Sequence, residues 1–270
     1  MKKTILYLLS FVLVQFFLSW IVYAAWLMAT GSSADDVLRT FGGGNQSAIT
    51  APMMILASAV SGAATIALFV WRRWAVMSPE YLRRRRWDVF FWCAIAALGT
   101  IIPSVWLQEL MPALPDNTAA TFEAIMHTSF GYVVLCLLVP FVEEMVFRGA
   151  ILRSLLGTFG NRWAAILISA VLFAIVHMNP AQMPHALLMG LLLGWLYSRT
   201  GSILPGVAVH WVNNTVAYIV TIAFPMSSDM TLSRLFGGNQ TSVILSVVFS
   251  LFILLPAIYQ LNMRMKGGRG

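Results

Sequence analysis

Charge is what this sequence has least of. Only 10% of its 270 residues are Asp, Glu, Lys or Arg, against about 25% in an ordinary soluble domain, too few to cover a water-facing surface. Cysteine is as scarce. Cys93 and Cys136 both fall inside apolar runs, where two lone thiols form neither a disulfide framework nor a zinc knuckle and read as small buried side chains. No stretch alternates as a strand does, and no Gly-x-Ser-x-Gly, His-Glu-x-x-His or phosphate-cradling P-loop occurs. These absences exclude disordered, collagen-like, coiled-coil and disulfide-stapled classes, and the commonest hydrolase and phosphate-binding signatures. The net charge of +7 is not a nucleic-acid footprint either, because the basic residues lie between apolar segments and not on one face of a soluble fold.

What the sequence has is hydrophobic length: 59% of its residues are apolar and the mean hydropathy is +0.80. A hydrocarbon core about 30 Å thick takes roughly 20 apolar residues in a helix. Such runs occupy 5–29, 51–71, 87–107, 129–156, 163–177, 184–197, 203–224 and 242–261. The fifth and sixth are short, and the fourth is long and carries charge. In lipid only helices or closed barrels satisfy the backbone, so the expected fold is all-α: a polytopic membrane protein of about eight transmembrane helices with a catalytic cavity inside the bundle. One transmembrane domain, 1–270, is expected, divided into N-terminal helices and loops (1–128), a core (129–224) and a last loop, helix and basic tail (225–270).

Positive charge orients the spans. Lys2, Lys3, Arg72, Arg73, Arg83–Arg86, Arg153, Arg162, Arg199, Arg264, Lys266 and Arg269 fall on one side if the spans alternate. Asp35, Asp36, Glu109, Asp116, Glu123 and Asp229 fall on the other, with Arg39 and Arg234 as exceptions. Both termini are therefore expected to be cytoplasmic, in an integral protein of the plasma (inner) membrane. The first run, about 25 residues, is too long for a signal-peptide core of 7–15 and reads as a retained anchor. Arg83–Arg86 form a juxtamembrane basic loop suited to anionic headgroups. A short repeat, Phe41-Gly-Gly-Gly-Asn45-Gln-Ser47 and Phe236-Gly-Gly-Asn239-Gln-Thr241, reads as two Gly-rich loops ending in a Ser or Thr cap; alternatively, the two loops pair on the outer side.

Two of the ten acids stand where lipid should be: Glu143 and Glu144, in Val139-Pro-Phe-Val-Glu-Glu-Met-Val-Phe-Arg148. An ionisable group at bilayer depth is expensive and reads as functional. Glu144 and Arg148, four apart on one helix face, can neutralise each other, which leaves Glu143 as the free acid. Of the four histidines, His127 and His185 read as solvated or locally satisfied. His177 ends Phe173-x-x-x-His177, and His210 begins His210-x-x-x-Asn214. At about 1.5 Å per residue, Glu143 lies roughly 20 Å above the cytoplasmic turn, His177 roughly 22 Å, Asn214 about 20 Å and His210 about 14 Å. Four polar side chains from three helices thus share one level. A free carboxylate with an imidazole can deprotonate water, and a second imidazole with an amide can stabilise an oxyanion. Hydrolysis of a peptide bond by water uses every member.

Glu143-Glu144-x-x-x-Arg148, Phe173-x-x-x-His177 and His210-x-x-x-Asn214, in that order on apolar helices, resemble the CAAX protease and bacteriocin-processing family, which includes the type II CAAX prenyl endopeptidases. The resemblance covers roughly 131–224 and implies an intramembrane glutamic endopeptidase. It implies Glu143 as water-activating base assisted by His177, His210 and Asn214 as the oxyanion pair, and Glu144 with Arg148 as a structural and substrate-positioning pair. Phe173 belongs to the second motif. The expected partners are a membrane-associated or lipidated peptide or protein substrate and the lipid bilayer, with no nucleic acid. No cofactor is expected, although Glu143, His177 and His210 could make a zinc site with an open position. Two other classes remain open: a non-catalytic immunity or scaffold protein of the same fold, and a proton-coupled transporter using a Glu/His relay.

Overall fold

The computed structural model describes residues 1–42, 48–76, 86–223 and 231–265. The apolar segments are helical over most of their described residues, and no strand occurs among the described residues. The long helices are α1 (Lys2–Ala29), α3 (Ala51–Trp71), α4 (Trp87–Glu109), α8 (Met183–Thr200), α9 (Leu204–Ala223) and α11 (Gln240–Met265), with the shorter α7 (Arg162–Val176). Three short helices lie in the connections: α2 (Ala34–Phe41), α5 (Ala119–Met126) and α10 (Leu232–Leu235). By length and composition, α1, α3, α4 and α11 are long and apolar enough to cross a bilayer. The chain is an integral membrane protein.

The fourth run departs from a plain α-helix. It is one rod, α6 (residues 133–156), built of a π-helical stretch (Val133–Leu138), an α-helical stretch (Val139–Glu144), a second π-helical stretch (Met145–Leu152) and a last α-turn (Arg153–Leu156). Such wide turns are rare and frequent at functional sites; here they flank the two acids on both sides. Every residue of Met145–Leu152 is buried, so the second stretch is the axis of the bundle, as expected of a helix apolar nearly all round.

Around this axis sits one core layer, including Phe69, Met145, Phe147, Ile151, Leu155, Ile166 and Phe173. A second layer joins α4, α8, α9 and α11 through Val89, Leu193, Val209 and Leu261. The first helix is built into the bundle: Phe11 meets Phe147 edge-on at 5.8 Å, and Gln15 accepts from the Ser61 hydroxyl at 2.8 Å while donating to Thr65 at 3.1 Å. Close approach elsewhere depends on glycine. A Cβ on Gly190 would stand 2.9 Å from the Cα of Ala170, so α8 lies against α7 only because that atom is missing.

Local signals set several helix ends. Asn161 caps α7 through the N–H of Trp163 at 2.9 Å, and Gly201 ends α8 with φ +66. The second Gly-rich loop turns through Gly237 and Gly238, both at positive φ. Its cap is Asn239, which accepts from the Thr241 and Ser242 amides at 3.0 and 3.2 Å, where Thr241, two residues later, was expected. Residues 43–47 of the first copy, Arg83–Arg85, Phe224, Asp229, Lys266 and Arg269 lie outside the described residues.

Candidate active site

Three helices converge on the acids of α6. Arg148, one turn after Glu144, pairs with its Oε1 at 2.9 Å, and both side chains are sealed from solvent. The guanidinium also lies over the Phe173 ring, 4.3 Å from its centroid, and donates to the Gly190 carbonyl at 3.4 Å. A charge pair removed from water survives only with such compensation. The other carboxylate oxygen, Oε2, faces Gly206 of α9, where a Cβ would come to 2.6 Å. Gly206 therefore lets α9 approach the buried acid.

That approach brings in His210, one turn further along α9. Its Nδ1 lies 3.4 Å from Glu144 Oε1 and its Nε2 lies 3.7 Å from Glu143 Oε2. A carboxylate only accepts, so a hydrogen on either ring nitrogen is turned toward an acid. The separation of 3.7 Å exceeds a direct hydrogen bond. Arg148, Glu144, His210 and Glu143 thus form one connected row. It runs from a sealed end to an accessible one: the Glu143 side chain is 16% exposed and Glu144 is 0%. The two neighbouring acids have different surroundings because they project about 100° apart on the rod.

His177 stands at the C-terminus of α7, with its Nδ1 2.7 Å from the Phe173 carbonyl. Since the carbonyl only accepts, Nδ1 carries the hydrogen of that bond. Phe173 joins the two imidazoles, packing edge-on against His177 at 4.8 Å and His210 at 5.9 Å. Among the described residues His177 makes no ion pair with Glu143; the ring nearest that acid is His210. No group of three His, Cys, Asp or Glu side chains gathers for a metal among the described residues.

Asn214 is oriented from both ends. Its Oδ1 accepts from Asn213 at 3.2 Å and its Nδ2 donates to the Leu135 carbonyl at 3.0 Å. That carbonyl is free for a reason written in the sequence. The N–H of Val139 bonds five residues back to Val134, so the next rung would join Leu135 to residue 140, which is proline and has no N–H. One amide hydrogen of Asn214 takes that rung's place, and the other remains for a ligand.

Sequence reasoning set His185 aside, and its Nδ1 meets the Ser104 hydroxyl at 3.0 Å, a locally satisfied histidine. His127 ends α5, away from the acids. Gly206 and Asn213 were missed; a glycine one turn before the His210 motif was the available signal for the first.

Comparison with known proteins meets this geometry at one stretch. Residues 125–216 match the family described as type II CAAX prenyl endopeptidase Rce1-like, and that stretch holds Glu143, Glu144, Arg148, Phe173, His177, His210 and Asn214. "Putative membrane peptidase YdiL" of Bacillus subtilis (strain 168) is 34% identical over 110 residues, covering 40% of this chain and 43% of YdiL. "UPF0177 protein YxdF" of Lactococcus lactis subsp. lactis (strain IL1403) is 27% identical over 137 residues, covering 47% of this chain and 75% of YxdF. The chain thus spans less than half the length of the first relative. No solved structure matches. Residues 125–216, which carry the whole of the site, are thus similar to the type II CAAX prenyl endopeptidase Rce1-like family.

Proposed function

We propose that the chain is an intramembrane glutamic-type endopeptidase that hydrolyses a peptide bond with water activated by Glu143. The observation that carries this reading is the asymmetry of the two acids. Glu144 is sealed and neutralised by Arg148, while Glu143 keeps part of its side chain exposed and faces the Nε2 of His210 at 3.7 Å. A base must reach water; a structural clamp has no use for it.

In the proposed step, a water between Glu143 and the imidazoles gives its proton to a Glu143 carboxylate oxygen as its own oxygen bonds to the scissile carbonyl carbon. The carbonyl π pair moves onto oxygen. Asn214 supplies an N–H to that developing oxyanion, and His210, entering the step with a hydrogen on Nε2, adds a second. Glu143 then returns the proton to the leaving nitrogen as the C–N bond breaks, leaving a carboxylate and an amine. Glu144 and Arg148 hold the His210 ring in place for this step. The substrate is a membrane-associated or lipidated peptide or protein, and the termini of the enzyme face the cytoplasm; charge on the loops and the family of residues 125–216 support both.

The test compares the membrane peptidome of cells carrying the native chain with that of cells carrying Glu143→Gln at equal abundance. The reading expects peptides that accumulate uncut only in the variant, with a common bond class missing. Identical peptidomes would leave the chain a scaffold or immunity protein. A pH-gradient-driven solute flux in reconstituted vesicles, without cleavage, would make it a transporter.

A further inference from the structure

Helix α7 spans fifteen residues, about 22 Å, which falls short of the roughly 30 Å hydrocarbon core. His177 therefore ends a helix at membrane depth, and the irregular backbone after it (residues 177–182) must find its polar partners within the protein. Beyond the bonds it makes with α7 and within itself, this connector is stitched to the end of α4 and to the loop between α4 and α5, residues 110–118.

Asn179, fully buried, donates through Nδ2 to Asp116 Oδ1 at 2.9 Å and to the Thr118 hydroxyl at 2.7 Å, and accepts from the Asn117 N–H at 3.3 Å. All of its side-chain polar atoms are engaged on that loop. Gln182 adds a bond to Thr118 at 3.2 Å, and the Ala181 N–H donates to the Pro115 carbonyl at 3.3 Å. Gln108, at the end of α4, donates to the Ala181 carbonyl. Asp116 Oδ1 is itself fixed by the Thr118 and Ala119 N–H groups, both at 2.9 Å. Between His177 and Asn179, Met178 takes φ +49, a left-handed conformation that few non-glycine residues adopt, with its side chain 79% exposed. A residue so placed gains nothing from its own side chain, so its backbone is held by what lies on either side. On one side is the helix hydrogen bond of His177, and on the other is Asn179.

We propose that Asn179, clasped by Asp116 and Thr118, is a positioning residue that sets where the His177 imidazole stands relative to Glu143. The inference rests on the peptidase reading for its kinetic consequence, but the placement of the ring is measurable without it. A ring moved by an ångström costs up to about 100-fold in a step that needs alignment.

The experiment uses the full chain in detergent micelles, with Asn179→Ala, Asp116→Ala and Asp116→Asn. The last keeps an acceptor oxygen for the Asn179 amide and the two backbone N–H groups. Histidine labelled with nitrogen-15 gives signals from only four imidazoles, and His177→Gln identifies that of His177. The expected result is a displaced His177 signal in both alanine variants, recovery in Asp116→Asn, and an unmoved His127 signal throughout. With a cleavable peptide probe found by the peptidome comparison, the alanine variants should lose about 10- to 100-fold in kcat with KM within about twofold. Alanine variants that lower the melting temperature but leave the His177 signal and kcat unchanged would overturn the proposal, as would a rise in KM alone. If the native chain cuts nothing, the peptidase reading falls while the imidazole signals still judge the clasp.

Discussion

The Nδ1 of His210 shares Glu144 Oε1 with the guanidinium of Arg148, at 3.4 Å and 2.9 Å. The imidazole is thereby tied to a carboxylate whose charge is already balanced, and its other nitrogen is left to face Glu143. Removing either end of this row has a different cost. Arg148→Ala leaves a fully buried carboxylate without its counter-charge, which destabilises a fold by about 3–5 kcal/mol. Thermal unfolding in detergent should show that loss. Glu143→Gln, at the accessible end, should unfold within a few degrees of the native chain.

Gly206→Ala tests the approach of α9. Its Cβ would lie 2.6 Å from Glu144 Oε2, and that carboxylate is pinned by Arg148 and cannot swing aside. Helix α9 must back away and carry His210 with it. We expect about 1–3 kcal/mol of destabilisation and a loss of cleavage larger than that loss of stability explains. Melting curves read the first, and initial rates well below the melting temperature read the second.

Pro140→Ala should separate stability from activity in the opposite direction. Alanine restores an N–H to the rung facing the Leu135 carbonyl, which now accepts from Asn214 at 3.0 Å. The helix gains a hydrogen bond and Asn214 loses its anchor. The expected outcome is an unchanged or raised melting temperature with kcat about tenfold lower, a fraction of the 100- to 1000-fold that loss of an oxyanion donor costs. Asn214→Ala, measured in the same assay, should show that full loss.

Asp116 gives the clasp a pH signature. Partial burial raises its pKa, but hydrogen bonds from the Thr118 N–H, the Asn179 amide, the Ala119 N–H and the Thr118 hydroxyl outweigh this and hold it below the ordinary carboxylate value. A folded pKa below the unfolded one contributes stability that is complete above the unfolded pKa and is lost as pH falls through the folded one. The melting temperature of the native chain should exceed that of Asp116→Ala by a constant margin from about pH 8 to about pH 5. The margin should shrink below about pH 4. For so exposed a carboxylate the contribution is no more than about 1 kcal/mol.

Much of this architecture was legible because apolar length and loop charge are properties of the chain alone. Helix α3 occupies the run read for it, and α7 and α9 begin within one residue of theirs. Glu144 with Arg148 followed from spacing on one helix face, and counting helical rise put His210 near the acids. The rise count assumed straight α-helices, however, and no periodicity marks the wide turns at Val133–Leu138 and Met145–Leu152. Those turns rotate Glu143 and Glu144 relative to their neighbours, so which imidazole meets which acid was beyond a linear count. The clasp was equally hidden. Asp116 and Asn179 lie 63 residues apart in two irregular segments, and nothing local in either announces the other. Pro140 is visible in the sequence, but its consequence, a carbonyl freed for Asn214, needed the register of the turn before it.

The central claim is best tested on purified chain in lipid vesicles with a membrane-anchored peptide carrying a fluorophore and quencher across the bond identified by the peptidome comparison. The account predicts steady cleavage by the native chain and a loss of at least about 100-fold in Glu143→Gln, with both proteins melting at similar temperatures. Cleavage by Glu143→Gln at the native rate would contradict it, because the carboxylate at residue 143 would then take no part in activating water.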